Sequence, residues 1–350
     1  MIESIDVPVS DRDKTRRSLL DGLLSRATFW VIVILAVLVT FFAITQTDKF
    51  FSAYNIRALA ANASVLIVLS IAQTYVLITK GIDLSVGSVL VFSSIISGKF
   101  MLAVSGSDSS TYGGITLSWP LILVGALIGI LSGALWGVFN GIIIAYTRVP
   151  ALIVTLGSFG MALGFAEIIS GGMDIRGVPS SLVKNIGNGS ILGIPVLVII
   201  ALVLAAVAGF YLQQTRFGRR TFAVGSNLEA ARRAGVPVKS HLVKVYLLAG
   251  CLAGIAGFLS MAQFGTTTIG GHSIDNLNTI AAAVIGGTSL FGGVGTVIGT
   301  VIGVFIPAVL QNGFVIMGIE PFWQEVVVGI ILIGAVYIDT ERRRRRNGTL

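Results

Sequence analysis

The chain alternates long apolar runs with short polar or charged segments. The first run, residues 27–47, carries no charge and as a helix reaches about 31 Å, the thickness of the bilayer hydrocarbon core. Residues 276–319 would reach about 66 Å, which predicts two spans folded back on each other. The other apolar runs are residues 58–79, 88–104, 119–147, 150–170, 194–212, 246–264 and 323–337. This pattern predicts an all-α, polytopic integral membrane protein with about ten transmembrane helices.

Two glycine-rich phrases interrupt the apolar pattern and predict broken helices. The first is Gly-Ile-Asp-Leu-Ser-Val-Gly at 81–87, and the second is Gly-Gly-Thr-Ser-Leu-Phe-Gly-Gly-Val-Gly at 286–295. Backbone groups freed at such breaks must face protein or water. The residues that we assign to helix breaks or close packing are Gly81, Gly87, Gly286, Gly287, Gly292 and Gly293.

A glycine repeat predicts that the helix over 119–147 is buried among its neighbours. Its glycines recur every four residues, at Gly125, Gly129, Gly133, Gly137 and Gly141. That spacing forms a groove along one helix face, which lets another backbone approach closely.

The charge distribution sets the predicted orientation. Only 11% of the 350 residues are charged, against about a quarter in soluble domains. Of the 24 basic residues, 19 fall on one predicted side and five on the other, which predicts cytoplasmic N- and C-termini. The net charge of +8 is therefore explained by the basic residues that collect on the cytoplasmic side of the membrane. No nucleic-acid partner is expected. We divide the chain into an N-terminal arm (1–28), a transmembrane domain (29–338) and a basic tail (339–350).

The segment 215–244 is a basic interruption between two apolar runs. Its arginines would each cost about 2.5–3.5 kcal/mol at the bilayer centre, so the segment is expected in the cytoplasm. Either Ser226 or Asn227 could cap a short helix there, and Gly235 could end it.

Three phrases resemble those of permease subunits of bacterial ATP-binding-cassette (ABC) monosaccharide importers, the ribose, xylose, arabinose and galactose type. They are the two glycine-rich phrases and Ala-Val-Gly-Ser-Asn at 223–227 with the Glu-Ala-Ala-x-x-x-Gly that follows it. The resemblance runs from about Phe50 to Asp339 and implies that the segment 215–244 engages a separate ATPase. The coupling residues that it implies are Asn227, Glu229, Ala230, Ala231, Arg232, Arg233 and Gly235.

The resemblance also implies the partners and the location. The partners are a cytoplasmic ABC ATPase subunit, a periplasmic sugar-binding protein, a second permease subunit (the same or a related chain) and membrane lipid, in a bacterial inner membrane. Two positions depart from the family pattern. Lys80 replaces a small residue, and Asn276-Leu277-Asn278 stands where family members often carry Glu-Leu-Asp. The amides favour an uncharged sugar or polyol as solute.

Polar residues inside the spans are candidates for the solute pathway, although each could equally be a helix cap or an interhelical bond. They are Gln73, Asp83, Ser85, Asn140, Asn276 and Asn278. An alternative is a self-sufficient ion-coupled secondary transporter that uses Asp83, Glu167 or Glu325; for Glu167 we favour a position at the outer end, reaching water. No enzyme activity, cofactor or metal site is expected: Cys251 has no cysteine partner, and no G-x-x-x-x-G-K-[ST] phrase occurs, so ATP hydrolysis is expected on a partner chain.

Overall fold

The computed structural model describes residues 27–107, 114–272, 274–320 and 322–346, so most of the predicted N-terminal arm and the last four residues of the tail lie outside the described residues. The helices are α1 (Ala27–Thr45), α2 (Thr47–Phe50), α3 (Ala53–Ile78), α4 (Val86–Ser105), α5 (Trp119–Thr147), α6 (Ala151–Ser170), α7 (Ser180–Leu182), α8 (Val196–Gln214), α9 (Arg216–Ser226), α10 (Leu228–Arg233), α11 (Val238–Phe264), α12 (Asp275–Ile285), α13 (Val297–Met317) and α14 (Phe322–Arg346). A π-helical turn, Val183–Gly187, follows α7. Strands β1 (Ser190–Ile191) and β2 (Ile194–Pro195) form a short antiparallel hairpin.

Seven of these helices are long and apolar enough to cross a membrane: α3, α4, α5, α6, α8, α11 and α13. Shorter apolar stretches lie in α1 and α14, at Val31–Thr45 and Phe322–Gly334. The prediction of an all-α multi-pass membrane protein is therefore confirmed. The number of ten spans stays a prediction.

The expectation of two full helical spans within 276–319 is wrong for the first of them. Helix α12 has only 11 residues and rises about 16 Å, half of a bilayer core. The rest of the uncharged run forms the non-helical segment 286–296 and α13. The prediction used only the absence of charge along the run. A glycine-rich loop that is buried in protein also lacks charge, so this criterion does not distinguish it from a helix.

Helix α11 begins eight residues earlier than the apolar pattern suggested, at Val238 instead of Tyr246. The last part of the predicted loop 215–244 is therefore helical. A lysine is excluded from hydrocarbon, but it does not stop a helix, and lysine is a good helix former. The charged end of α11 extends the span into the polar region next to α9.

Helix α3 is the centre of the bundle and packs against α8, α11, α12 and α13. From Ser64 to Ile78 every residue is buried, so the helix has no face left for lipid. Its hydroxyl groups are partly satisfied by neighbouring atoms: Thr74 Oγ1 lies 2.8 Å from the Ser70 carbonyl oxygen and 2.7 Å from Thr300 Oγ1 on α13. A helix that is apolar all round is expected at such a position.

The glycine face of α5 is buried, by α4 at Gly125 and Gly129 and by α11 along the rest of the repeat. The other face of the helix is exposed, for example at Leu131 and Leu135, so the prediction that the whole helix is buried among its neighbours is wrong for that face. A Cβ atom at Gly254 of α11 would lie 2.7 Å from the Ile130 Cα and 2.8 Å from the Gly129 carbonyl oxygen. Cβ atoms at Gly133 and Gly137 would overlap backbone atoms of Gly250 and Tyr246. The two backbones are therefore in direct contact, and this close pair fixes α11 in the bundle.

Candidate functional site

One end of α3 joins both helix breaks to the segment that precedes α10. The Gly293 N–H, in the second break, donates to the Ile78 carbonyl oxygen at 2.9 Å. The Lys80 ammonium, at the start of the first break, donates to the Ser226 carbonyl oxygen at 3.2 Å. We call this meeting point, made of Ile78, Lys80, Gly225, Ser226 and Gly293, the junction.

The junction is so tight that only glycine fits at its centre. A Cβ atom at Gly225 would overlap the Ile78 carbonyl oxygen and lie 2.7 Å from the Gly293 nitrogen. Gly293 has a φ of +76°, and a Cβ atom there would lie 2.6 Å from Ser226 Oγ. Three separate stretches of backbone are thus in contact without side chains between them, so a movement of one must displace the others.

Helix α10 projects from this junction as a short knob. Asn227 is extended (φ −150°), and its Oδ1 accepts from the Ala230 N–H at 3.0 Å, so Asn227 and not Ser226 caps the helix. Gly235 follows the end of α10 with a φ of +79°. An exposed ion pair of 3.1 Å joins Glu229 to Arg232 and adds little stability.

Only one side of α10 is held by the protein. Ala231 is buried with Val224 of α9 and Val238 of α11. The other residues that the sequence predicted for ATPase coupling are exposed: Asn227, Glu229, Ala230, Arg232, Arg233 and Gly235. The knob is anchored by one alanine and presents the rest of its surface outward.

Inside the bundle, the first break contains a buried polar network. Asp83 Oδ1 accepts from the Ser85 N–H at 2.8 Å and from the Ser85 hydroxyl at 2.5 Å. The Asn140 amide of α5 in turn donates to Ser85 Oγ at 2.9 Å. A Cβ atom at Gly81 would lie 2.5 Å from the Tyr246 hydroxyl oxygen, so the break passes directly beside α11. These bonds satisfy one oxygen, Oδ1, of a buried carboxylate, whose burial is otherwise costly.

The end of the first break meets the start of α12, the helix that precedes the second break. Asn276 Oδ1 accepts from the Gly87 N–H at 2.7 Å, across 189 residues of sequence. The start of α12 is also tied to α11 through a buried imidazole: His272 Nδ1 lies 2.7 Å from Asp275 Oδ2, and its Nε2 lies 2.7 Å from Ser260 Oγ. The half-length helix is therefore held by polar bonds at its first turn.

The structure brings together four of the six candidate pathway residues. Asp83, Ser85 and Asn140 form one network, and Asn276 lies at the adjoining contact between the first break and the start of α12. Gln73 is elsewhere, on α3, and neither of its amide atoms has a partner among the described residues. All six are buried, Asn278 included, so a role in lining the pathway stays a prediction. Of the other carboxylates considered for an ion-coupled carrier, Glu167 and Glu325 are both exposed.

Sequence reasoning missed Tyr246, His272 and Asp275 as members of this region. The glycines at 81 and 87 signalled that something approaches the backbone closely, but a single sequence does not say which residue it is. The sequence marked Lys80 only as a departure from the family pattern and did not indicate its partner. In the structure it has a φ of +65°, and its amine is bonded to the segment before α10.

The contact between the first break and the start of α12 gives a first testable prediction. Asn276→Ala leaves the buried Gly87 N–H without its acceptor, which costs about 1–3 kcal/mol. We expect a clearly lower midpoint of thermal unfolding in detergent. Asn278→Ala is the matched control, because the Asn278 Oδ1 has no partner in the described part of the chain and its amide nitrogen makes only a long contact, 3.4 Å, with Asp275. Equal losses in the two variants would contradict the role given to Asn276.

Comparison with known proteins gives a consistent assignment. Residues 55–336 match the family model described as "Branched-chain amino acid transport system / permease component". The chain is 33% identical to the D-allose transport system permease protein AlsC of Escherichia coli K12, over 89% of this chain and 93% of the relative. It is 32% identical to the fructose import permease protein FrcC of Rhizobium meliloti, over 96% and 92% of the two chains.

A third relative is the autoinducer 2 import system permease protein LsrC of Yersinia pseudotuberculosis, which is 30% identical over 89% of this chain and 84% of its own length. No solved structure matches. The family match covers most of the chain and all of the helices that form the junction and the two breaks. This chain therefore belongs to the family of transport-system permease components that its three sequence phrases indicate, the membrane permeases of bacterial ABC importers.

Proposed function

We propose that this chain imports an uncharged monosaccharide or a similar polyol across the bacterial inner membrane, powered by separate ATPase subunits. Three relatives carry D-allose, fructose and autoinducer 2 in their names, which favours a polyhydroxylated solute over an amino acid. The amides Asn140, Asn276 and Asn278 near the breaks suit hydroxyl groups, because each amide can both donate and accept.

The observation that carries the mechanism is the junction. The exposed knob α10 follows directly on Gly225 and Ser226, and these residues contact the end of α3 and the loop of the second break. When ATP binding draws the motors together, a push on α10 reaches both breaks through one set of backbone contacts. The first break carries Asp83 and Ser85, so the same displacement rearranges the polar network inside the bundle.

The proposed partners follow from the family and from the surfaces left uncovered. An ATPase is placed at α10, and a periplasmic binding protein delivers the solute from the other side. A second permease subunit, the same or a related chain, is placed against α6, where no other described segment of this chain lies within 4 Å of a Cβ at Gly157, Gly160 or Gly164. Membrane lipid surrounds the rest. The termini are placed in the cytoplasm, on the side of the basic residues.

Reconstitution tests this proposal. The purified chain in liposomes should take up labelled sugars only with its ATPase, its receptor and ATP, and should not take up labelled leucine. Uptake driven by an ion gradient with no ATPase present would contradict the ATP-driven mechanism. Uptake of leucine in place of any sugar would contradict the solute class.

Asp83→Asn provides a second test of the energy source. Asparagine keeps the Oδ1 acceptor for the Ser85 N–H and hydroxyl, which donate at 2.8 and 2.5 Å, but it cannot carry a proton or attract a cation. Because both hydrogen bonds are kept, we expect ATP-driven uptake to stay within about twofold of the wild type. A twofold change in rate corresponds to well under 1 kcal/mol of activation free energy. Asp83→Ala removes the acceptor and should lower the unfolding midpoint. Complete loss of uptake in a well-folded Asp83→Asn protein would favour the ion-coupled carrier.

A further inference from the structure

A polar cavity of ≈ 210 Å³ lies between α8, α9 and the first turns of α11, on the side that we propose to be cytoplasmic. It is separate from the junction and from the helix breaks. Its wall is unusually rich in polar and aromatic side chains for a membrane helix bundle: Tyr211, Phe217, Arg220, Ser240, His241 and Lys244.

Two cations line this cavity without an internal counter-ion. Neither Arg220 nor Lys244 forms an ion pair with a carboxylate of the part of the chain that the structure describes. His241 Nε2 is occupied by the Thr221 hydroxyl at 3.0 Å. The charge of the cavity is thus positive and uncompensated, which favours an anionic ligand.

An apolar groove of ≈ 450 Å³ lies next to the polar cavity, and Ser240 stands between the two spaces. Ile142 and Tyr146 of α5 and Val243 of α11 line this groove, and Ser240 lines both spaces. Ile142 and Tyr146 are exposed in the chain, so the groove opens outward toward the membrane. The Lys239 ammonium lies 4.8 Å from the centre of the Tyr146 ring and borders the groove with a further positive charge.

These two spaces together have the shape and polarity of an amphiphile. The cationic cavity and the apolar groove lie side by side at the end of the spans, at the level where the phosphates of the cytoplasmic leaflet are found. Ile142 is one helical turn further into the span than Tyr146, so the groove is open toward the hydrocarbon. Basic pockets between membrane helices on this side are the places where anionic lipid head groups bind. A soluble anion would use the polar cavity alone and would leave the groove empty.

We propose that this site binds one molecule of an anionic phospholipid of the cytoplasmic leaflet. Arg220 and Lys244 hold the phosphate, the Ser240 hydroxyl donates to a head-group oxygen, and an acyl chain lies along Ile142 and Val243. The lipid would bridge α9 and α11, the two helices that flank α10. This site goes beyond the import function and does not depend on the identity of the solute.

Native mass spectrometry of the full chain in detergent tests the site, with phosphatidylglycerol and phosphatidylcholine of equal acyl chains as the two probes. We expect phosphatidylglycerol to bind more tightly by about 30-fold, because each cation near an anionic head group contributes about fivefold. Arg220→Ala/Lys244→Ala should reduce this preference to about that of the neutral lipid. The control variant Arg216→Ala/Arg233→Ala also removes two positive charges, but these residues do not line the cavity. It should leave the preference for phosphatidylglycerol unchanged.

A second variant separates a lipid from a free anion. Ser240→Trp keeps every charge but fills the boundary between cavity and groove, and we expect it to weaken phosphatidylglycerol binding while the unfolding midpoint stays unchanged. Inorganic phosphate should not displace the lipid at equal concentration. Displacement by phosphate, unchanged lipid binding in Ser240→Trp, or an equal loss in the control pair would each overturn the proposal.

Discussion

Gly225→Ala is expected to reduce ATP-driven uptake by about tenfold or more and to lower the unfolding midpoint. One added methyl group would overlap the Ile78 carbonyl oxygen and crowd the Gly293 nitrogen at 2.7 Å. Both neighbours are backbone atoms, so no side chain can rotate away, and overpacking of this kind costs about 1–3 kcal/mol or more. The cost falls on the contact that we propose transmits the movement of α10.

Gly209→Ala is the matched control. Gly209 is also a glycine within a helix, on α8, but a Cβ atom there would meet only the Val297 side chain, at 3.6 Å and above. Alanine is the better helix former, so this variant should be as stable as the wild type or slightly more stable. The measurements are sugar uptake in reconstituted liposomes, membrane abundance and thermal unfolding in detergent. Normal uptake in Gly225→Ala would show that the junction does not transmit the motion.

Gly235→Trp is expected to abolish uptake while the permease still inserts and folds. Gly235 is exposed at the end of α10, and apart from its chain neighbours no described atom lies within 4 Å of a Cβ built there, so the indole ring would project from the knob. We expect this ring to block the surface that the ATPase covers. The test is co-purification of the ATPase together with uptake.

Gly235→Asn controls for the backbone conformation of this variant. The φ of +79° at Gly235 strains any side chain, but asparagine tolerates the left-handed region best and is small. We expect Gly235→Asn to keep the ATPase bound and most of the uptake. If Gly235→Trp transports normally, the segment 215–244 is not the coupling site.

The two glycine variants separate binding of the motor from transmission of its movement. Gly225→Ala changes a buried contact and should leave the ATPase bound while uptake fails. Gly235→Trp changes an exposed surface and should lose the ATPase itself. The same pair of measurements, retained ATPase and sugar uptake, thus assigns one residue to each step.

The sequence by itself determined the class of the protein, its family and the position of α10. Uncharged runs long enough to cross a bilayer, the glycines of α5 and a helix cap at Ser226 or Asn227 all depend on residues within about 20 positions of each other. The free energies behind them are local: the transfer of each residue into hydrocarbon, and the conformational preference of each backbone unit. The order of residues along the chain therefore indicates these local free energies directly.

Only the tertiary structure decided which segments meet. It shortened the predicted eighth span to the half-length α12, extended α11 back to Val238, and paired Asn276 with Gly87. It also placed Gly225 against Ile78 and Gly293, which makes the junction. These contacts join residues far apart in the chain, and they arise because many helices must bury their small and polar faces against one another at once. That packing is a property of the whole bundle, so no stretch of sequence contains it.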